Sequence, residues 1–319
     1  MKAPAEADRP TVSVATITYN HERFIRACVE SVQRQQALFR IEHVIGDDAS
    51  PDGTLSILDE LAAKYSDRIR VLRHSENIGM HRNADRTLRA CRGRYVALLE
   101  GDDQFLSEDK LARQVSFLET HPECSICFHP VTIVDNDGRA HGVFPEHQPP
   151  ITTLDDLLRS NFIGTPSVMY RVMPSVQLPS WTGILRSSDW LLHILHAEHG
   201  KIGFIDDVRS LYRVHSGGAW TSLAPEKRWA SELEMLRLVD IYLGYRHHDA
   251  IRDAMAHRHL LLASAAADAH DLRTARWHCA QLLLLAPSRL PTGRRAIVPL
   301  ILRVLGGSPG RGPGARVGE

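Results

Sequence analysis

The feature that most constrains the fold is a regular alternation of short apolar or β-branched segments with helical patterns, which begins at Thr11. The segments typical of strands are Val12–Ile17, Ile41–Ile45, Ile69–Leu72 and Tyr95–Leu99. Helical patterns lie between them, over residues 24–32, Thr54–Ala63 and His81–Cys91. Such alternation is typical of parallel strands joined by crossover helices. We therefore predict an α/β fold in which helices cover both faces of a mostly parallel sheet.

The remainder of the chain changes character in two places. Ser107 is the predicted N-cap of a helix that runs through Leu118, and shorter β-rich and helical pieces follow it. Beyond Pro225 the pattern is almost wholly helical, until a final segment rich in Gly, Pro and Arg. The predicted parts are a flexible N-terminus over 1–10, an α/β domain over 11–222, a helical extension over 223–305 and a disordered tail over 306–319.

The charge balance argues against one class of partner. With 38 basic and 38 acidic side chains the formal net charge is zero, so the chain has no long-range attraction for a nucleic acid. The 5 cysteines are scattered instead of forming a dense disulfide framework, which is typical of reduced thiols. No apolar stretch typical of a secretory signal stands at the start of the sequence. We therefore expect a cytoplasmic protein.

Polar residues follow three of the predicted strands at the point where each strand ends. They are Thr18-Tyr19-Asn20, Asp47-Asp48-Ala49-Ser50 and Glu100-Gly101-Asp102-Asp103. In an open parallel sheet, ligands bind outside the carboxyl ends of the strands. Carboxylates gathered there suit Mg²⁺ or Mn²⁺ together with a phosphorylated ligand. Taken singly, each aspartate pair could equally serve as turn residues or helix caps.

Two common ways of binding a nucleotide are missing from the sequence. No G-x-G-x-x-G follows the first strand, and no G-x-x-x-x-G-K-[ST] occurs anywhere. Dinucleotide dehydrogenases and P-loop enzymes therefore fit this sequence poorly. A sugar-phosphate nucleotidyltransferase would need a glycine-rich basic loop after the first strand, which residues 20–23 do not supply.

Over about residues 11–220 the sequence resembles family 2 of the inverting glycosyltransferases, which have the Rossmann-like GT-A fold. The resemblance rests on Tyr19-Asn20, on the Asp47-Asp48 pair before a serine, and on the acidic cluster after the fourth strand. It implies that Tyr19, Asn20 and Asp48 bind the nucleotide sugar, that Asp102 contacts its ribose, and that Asp103 ligates the metal. The sequence departs from the family at Glu100, where many members have aspartate, and at Ala49, where glycine is common.

The segment Asn77-Ile78-Gly79, followed by Arg82-Asn83, also resembles the family. Through it Arg82 would contact the base or the diphosphate, and the alternative is an exposed helical arginine. Some enzymes of this fold use a late histidine as a metal ligand, and His215 stands in a comparable place. A structural histidine in a loop is the alternative. Arg213 is a candidate for the diphosphate, because the leaving group gains charge.

Transfer to an alcohol needs a general base, and Asp189 is the candidate. It opens a predicted helix after a β-rich segment, as the base of the resembled family does. The alternative is a first-turn aspartate that the helix dipole favours. Three tryptophans flank this region, and Trp181 is the predicted acceptor contact.

The sequence as a whole predicts an inverting, metal-dependent glycosyltransferase. Its donor would be a nucleotide-diphosphate sugar, with UDP as the nucleotide, and its acceptor a hydroxyl of a carbohydrate or lipid-linked glycan. A catalytically silent scaffold or glycan-binding protein of the same fold is the alternative. In the C-terminal part, Arg294, Arg295 and Arg303 punctuate an apolar segment. These helices either contact anionic lipid at the inner face of the membrane, or pack on the protein or form a homodimer.

Overall fold

The computed structural model describes residues 9–206, 210–215, 217–218, 220–285, 300 and 304. The chain divides into two compact units, Met1–Ser222 and Leu223–Glu319. Several predicted features lie outside the described residues, namely most of the N-terminus over 1–10, the tail over 306–319, and Arg294, Arg295 and Arg303.

The first unit combines strands and helices along its whole length. Its strands are β1 (Val12–Thr18), β2 (Ile41–Asp47), β3 (Ile69–Arg73), β4 (Tyr95–Glu100), β5 (Gln104–Phe105), β6 (Cys124–Phe128), β7 (Val131–Val134), β8 (Ala140–Phe144), β9 (Ile151–Thr152), β10 (Met169–Arg171), β11 (Lys201–Phe204) and β12 (Ser210–Arg213). Its helices are α1 (Ile25–Gln33), α2 (Thr54–Lys64), α3 (Met80–Ala90), α4 (Lys110–Thr120), α5 (Leu154–Arg159) and α6 (Asp189–Ala197). Two 3₁₀ turns, Thr165–Ser167 and Ser180–Ile184, complete the unit.

The main sheet has the strand order β3-β2-β1-β4-β10-β6-β11-β9. Its first four strands are all parallel, whereas β10 runs antiparallel to both β4 and β6. Two clusters of buried side chains, one with α4 and part of α1 and the other between α1 and α2, pack on one face of this sheet. Helix α3 packs on the opposite face, where Asn83 and Thr87 stand against Gly46 of β2. The predicted α/β fold class is confirmed. The helix pattern and the apolar strands already required it, because a sheet buried on both faces needs near-continuous apolar strands.

The register of the parallel strands brings the predicted polar segments to one edge. Thr18 of β1 pairs with Asp47 of β2, and Ile17 of β1 pairs with Glu100 of β4. A smaller sheet, in the order β5-β12-β7-β8, stands beside that edge. The turn over residues 135–138 joins β7 to β8, and Gly138 takes a positive φ of 80° there.

One prediction about a helix start is wrong. Helix α4 begins at Lys110 with Asp109 before it, so Ser107 is not the N-cap. The Ser107 hydroxyl donates instead to the Asp109 carboxylate. The apolar pattern fixes the buried face of a helix but leaves its first residue uncertain by a few positions.

The second unit consists of helices α7 (Pro225–Tyr242), α8 (His248–Asp268) and α9 (Leu272–Leu285) in its described part. Alanines and a cysteine of α8 and α9 form its core, among them Ala263, Ala267, Ala275 and Cys279. An ion pair between Arg258 and Glu232, 2.8 Å apart, links α8 to α7. Within the described residues, no helix combines the length and apolar character that crossing a bilayer demands.

Ala49 carries backbone strain beside the site. Its φ is 57°, in the left-handed region, where the Cβ atom of an L-residue costs about 1–2 kcal/mol. Ala49→Gly should therefore raise the free energy of unfolding by about 0.5–1 kcal/mol, because relief of strain exceeds the entropy that glycine adds to the unfolded chain. Urea denaturation measures the change.

The matched control for this prediction is Ala63→Gly, at an exposed position of α2. Glycine inside a helix should lower the free energy of unfolding by about 1 kcal/mol. A loss of similar size in Ala49→Gly would show that the left-handed backbone at this position is not a source of strain.

Candidate active site

A cavity of about 260 Å³ lies at the carboxyl edge of the parallel strands. Six of the residues with a predicted catalytic, ligand-binding or metal-binding role line it, namely Tyr19, Asp48, Asp102, Asp103, Asp189 and Arg213. The strand register produces this cavity, because β1, β2 and β4 all end there. The cavity therefore lies at the edge of the sheet for which the sequence predicts a ligand.

Asp48 is fixed in position by the backbone of the loop before α3. Its Oδ1 accepts a hydrogen bond from the Ile78 amide at 2.8 Å, and its Oδ2 accepts one from the Gly79 amide at 3.0 Å. The side chain is 3% exposed. Each carboxylate oxygen keeps a second lone pair, so the group can still accept a hydrogen bond from a ligand.

Asp102 lies between two histidines. Its Oδ2 is 2.9 Å from Nε2 of His215 and 4.0 Å from Nε2 of His21. Gly101 allows this arrangement, because a Cβ atom there would stand 2.6 Å from Nδ1 of His21. Of the described residues, these three side chains form the group whose ligand atoms lie close enough together, within 4.8 Å, to hold one metal ion.

Hydrogen bonds connect Arg213 to Asp103 and to the backbone beside it. The Arg213 amide donates to Oδ1 of Asp103 at 2.8 Å. The Arg213 guanidinium donates to the backbone carbonyls of Asp102 and Asp135, and lies over the Phe24 ring at 4.6 Å. Arg213 is therefore occupied in joining the small sheet to the end of β4, although it also lines the cavity.

The acidic groups at the end of β4 perturb one another. Burial, with the charges of Asp102 and Asp189, raises the pKa of Glu100 to about 8. Burial and the charges of Asp102 and Glu100 raise the pKa of Asp103 as well. Burial alone would raise the pKa of Asp102, but the hydrogen bond with His215 and the charge of His21 outweigh it and lower that pKa. Such opposed shifts among adjacent groups are typical of functional sites.

Two carboxylate oxygens in this group have no partner among the residues that the structure describes. Oδ1 of Asp102 and Oδ2 of Asp103 are buried and accept no hydrogen bond from those residues. A buried polar atom without a partner costs about 1–3 kcal/mol, so such atoms are rare. Both belong to residues that line the cavity, where a ligand can reach them.

Asp189 is the first residue of α6 and also lines the cavity. Its Oδ1 accepts a hydrogen bond from the Ser187 hydroxyl, and its Oδ2 accepts one from Thr165 at 3.4 Å. The first turn of the helix and the hydroxyls of two other segments thus hold the carboxylate toward the cavity. The predicted base and the acidic cluster share one space.

The remaining predicted residues are placed less directly. His215 is not among the residues that line the cavity and reaches it through Asp102. Arg82 is exposed on α3, and neither Asn20 nor Trp181 lines the cavity. Asn20 adopts a φ of 59°, and its amide donates to the Ser50 hydroxyl. None of these four residues contacts the cavity directly, so the structure adds no support to their predicted ligand roles.

Two side chains of this site were not predicted from the sequence. His21 lies beside Asp102, and Thr165 lines the cavity. His21 had a usable signal, because it stands three residues after the end of β1, where ligand-binding residues are expected. Thr165 had none, since it follows a segment whose place in the sheet the sequence pattern does not reveal. Of the three tryptophans that flank Asp189 in the sequence, Trp220 lines the cavity, whereas the preferred Trp181 does not.

The raised pKa of Glu100 makes a prediction about stability. Below about pH 4.5 the group is protonated in both states, and its stabilising contribution is lost as pH rises toward its folded-state pKa of about 8. Glu100→Gln cannot ionise, so it should gain stability over the wild type in this window, by at most about 1.4 kcal/mol per pH unit. Urea denaturation at several pH values, with EDTA present, measures this gap. A gap independent of pH would show that Glu100 ionises normally.

Comparisons with known proteins identify the family of this chain. The family model described as Glycosyl transferase family 2 matches residues 13–174. An uncharacterized protein of Mycobacterium tuberculosis is 37% identical over 255 residues, which cover 75% of this chain and 71% of that protein. The putative teichuronic acid biosynthesis glycosyltransferase TuaG of Bacillus subtilis is 30% identical over 241 residues, covering 72% of this chain and 90% of its own.

Solved structures share the fold at low sequence identity. TarS 1–349 of S. aureus in complex with UDP-GlcNAc matches with a TM-score of 0.65 and 19% identity, over 92% of this chain and 85% of that one. The mannosyltransferase PcManGT from Pyrobaculum calidifontis, in complex with GDP-Man and Mn²⁺, matches with a TM-score of 0.53 and 18% identity, over 95% and 88%. The family match, the fold and the relatives together show that this chain belongs to glycosyl transferase family 2 and is a glycosyltransferase.

Proposed function

We propose that the protein transfers a sugar from a UDP-sugar to an acceptor hydroxyl, with inversion at the anomeric carbon, Asp189 as the general base and Mn²⁺ as the metal. One observation carries this proposal: the Asp189 carboxylate and the unpartnered oxygens of Asp102 and Asp103 belong to residues that line a single cavity. A base and a diphosphate site must be this close for one carboxylate to act on an acceptor positioned at the donor sugar.

The donor set of the site suits a divalent metal ion. Asp102 and Asp103 offer buried oxygens without partners, and His21 and His215 offer imidazole nitrogens beside Asp102. Mg²⁺ prefers an all-oxygen shell, whereas Mn²⁺ binds more strongly to a site that includes imidazole. We therefore favour Mn²⁺, which a mannosyltransferase of the same fold binds together with its donor. When bound, the ion would act as a Lewis acid for the diphosphate leaving group.

The nucleoside end of the donor is assigned to Asp48. The amides of Ile78 and Gly79 already hold its two oxygens, so little side-chain entropy is lost when a ligand binds. A carboxylate accepts hydrogen bonds, which matches the imide N–H of uracil and the hydroxyls of ribose. Tyr19, 42% exposed at the cavity, offers a ring against which a base can stack. UDP-GlcNAc is the donor bound in the structure of TarS.

The acceptor side is assigned to Asp189. An alcohol attacks only as its proton is removed, and a positioned carboxylate can accept that proton. Ser187 and Thr165 donate to Asp189 and fix its direction, while the first turn of α6 favours its negative charge. The structural role of a first-turn aspartate and the catalytic role therefore coexist in this residue. Trp220 at the cavity replaces Trp181 as our candidate for stacking on a sugar ring.

Exchange of single carboxyl groups separates the two halves of the site. Asp189→Asn should lower transfer by a factor of about 10²–10⁴, because the amide cannot accept the proton. It should leave the affinity for UDP with Mn²⁺ within about two-fold of wild type. Asp103→Asn should weaken Mn²⁺-dependent UDP binding. Calorimetry with UDP, in Mn²⁺ or EDTA, measures binding, and UDP release with a panel of glycoside acceptors measures transfer.

The matched control is Asp155→Asn, because Asp155 is also a first-turn aspartate, in α5, and does not line the cavity. It should change neither binding nor transfer. Wild-type transfer in Asp189→Asn would reject the assigned base. Failure of the wild-type protein to bind any UDP or GDP sugar with Mn²⁺ would favour a glycan-binding protein without catalysis.

A further inference from the structure

Two further cavities continue from the active site along one face of β4. The nearer one, of about 70 Å³, is lined by residues of β1, β4, α3 and α6. The farther one has a volume of about 130 Å³. Leu88, Leu178 and Leu192 line both, so the two form one path, which we call the β4 trench.

The trench opens at the proposed base. Asp189, Glu100 and Thr165 line both the nearer cavity and the cavity assigned to the donor. A molecule whose reacting hydroxyl is at Asp189 can therefore extend into the trench without leaving the protein. The opening is on the acceptor side, since Asp48 and the 102–103 pair line only the donor cavity.

The alternation of β4 sets the direction and the chemistry of the trench. Glu100 lines the donor cavity, Leu98 lines the nearer cavity, and Val96 lines the farther one. Residues two apart on a strand share a face, and four residues span about 13 Å. The trench thus runs from a carboxyl group to apolar side chains over roughly that length. Leu98 remains partly accessible, although the residues around it on β4 are buried.

Beyond Glu100 and Asp189 at its opening, most polar groups that line the trench are paired or uncharged. Asp85 and Arg89, which line the farther cavity, form an ion pair at 2.8 Å. The Thr87 hydroxyl donates to the Asn83 carbonyl, and the Ser188 hydroxyl is hydrogen-bonded to His81. In the farther cavity, His196 stacks on Tyr170 at 4.1 Å. Burial lowers the pKa of His196 to about 3, so the ring is neutral at neutral pH. A sugar or a phosphate would find few partners here, whereas an alkyl chain requires none.

We infer that the β4 trench binds the apolar chain of a lipid-linked acceptor, whose hydroxyl-bearing head group is at Asp189. This inference rests on the proposed function, because it takes Asp189 as the acceptor end. The apolar walls, the length along β4 and the continuity with the donor cavity all match an amphipathic molecule. A free oligosaccharide would leave the trench unfilled. The acceptor class is thereby narrowed to glycans or alcohols that carry a hydrocarbon chain.

Chain-length dependence tests the inference without relying on catalysis. Octyl β-glucoside, below its micellar concentration, and methyl β-glucoside share a head group and differ only in the alkyl chain. The full-length protein should bind the octyl compound at least about ten-fold more tightly, the gain expected from burying two methylene groups. Calorimetry measures both affinities, and UDP binding with Mn²⁺ is measured on the same preparation.

Variants that fill or charge the trench should remove the preference for the octyl compound. Ala84→Phe places a ring in the nearer cavity, and Leu178→Asp places a charge where the two cavities meet. Ala63→Phe, on the exposed face of α2, is the matched control and should keep the preference. Thermal unfolding shows whether each variant is folded. If Ala84→Phe does not fold, Leu178→Asp alone tests the inference.

Equal affinities for the two glucosides would overturn the inference, as would an unchanged preference in a folded Ala84→Phe or Leu178→Asp. Failure of the proposed function gives a different result: the octyl preference and its loss in the variants would persist, but UDP would not bind with Mn²⁺. Normal UDP binding without an octyl preference would leave the donor assignment standing and reject the trench as an acceptor site.

Discussion

The crowding of like-charged carboxyl groups at the end of β4 is the interaction on which the rest of the site depends. Glu100, Asp102 and Asp103 are brought together there, and burial raises the pKa of the first and the last of them. Such an arrangement costs folding free energy unless positive or hydrogen-bonding groups oppose it. The small sheet provides these groups, because the Arg213 amide binds Asp103 and the following loop brings His215 to Asp102.

The two sheets therefore contribute different groups to the site at the carboxyl edge of the parallel strands. The parallel sheet sets the positions of the carboxyl groups through its register, since β1, β2 and β4 end side by side. The small sheet positions the cationic and imidazole groups that face them. Two carboxylate oxygens nevertheless accept no hydrogen bond from any described residue, which suits a site whose charge balance a bound ligand completes. Along the β4 trench, the side chains of β4 change from the carboxyl group of Glu100 to apolar groups.

Much of the fold was predictable because its signals are local. The strands β1 to β4 and the helices between them follow from apolar periodicity, and their observed bounds differ from the predicted ones by one or two residues. The start of α4 was mispredicted because a serine before an apolar pattern resembles a cap whether or not it is one. The short strands β5 and β9, of two residues each, have no sequence pattern of their own.

The residues of the candidate site likewise divide into those that a local sequence signal places and those that it does not. Residues that directly follow a parallel strand, such as Asp48 and Asp102, could be placed from the sequence because parallel strands end at a common edge. Arg82 could not, because resemblance places it near the site, but the helix turns its side chain to solvent. The sequence by itself determined the α/β fold, the sheet edge at which the cavity lies and the acidic groups there. Only the tertiary structure decided that His21 joins Asp102, that Trp220 and not Trp181 lines the cavity, and that an apolar trench leads away from Asp189. These depend on contacts between segments far apart in the chain, and no local pattern encodes such contacts.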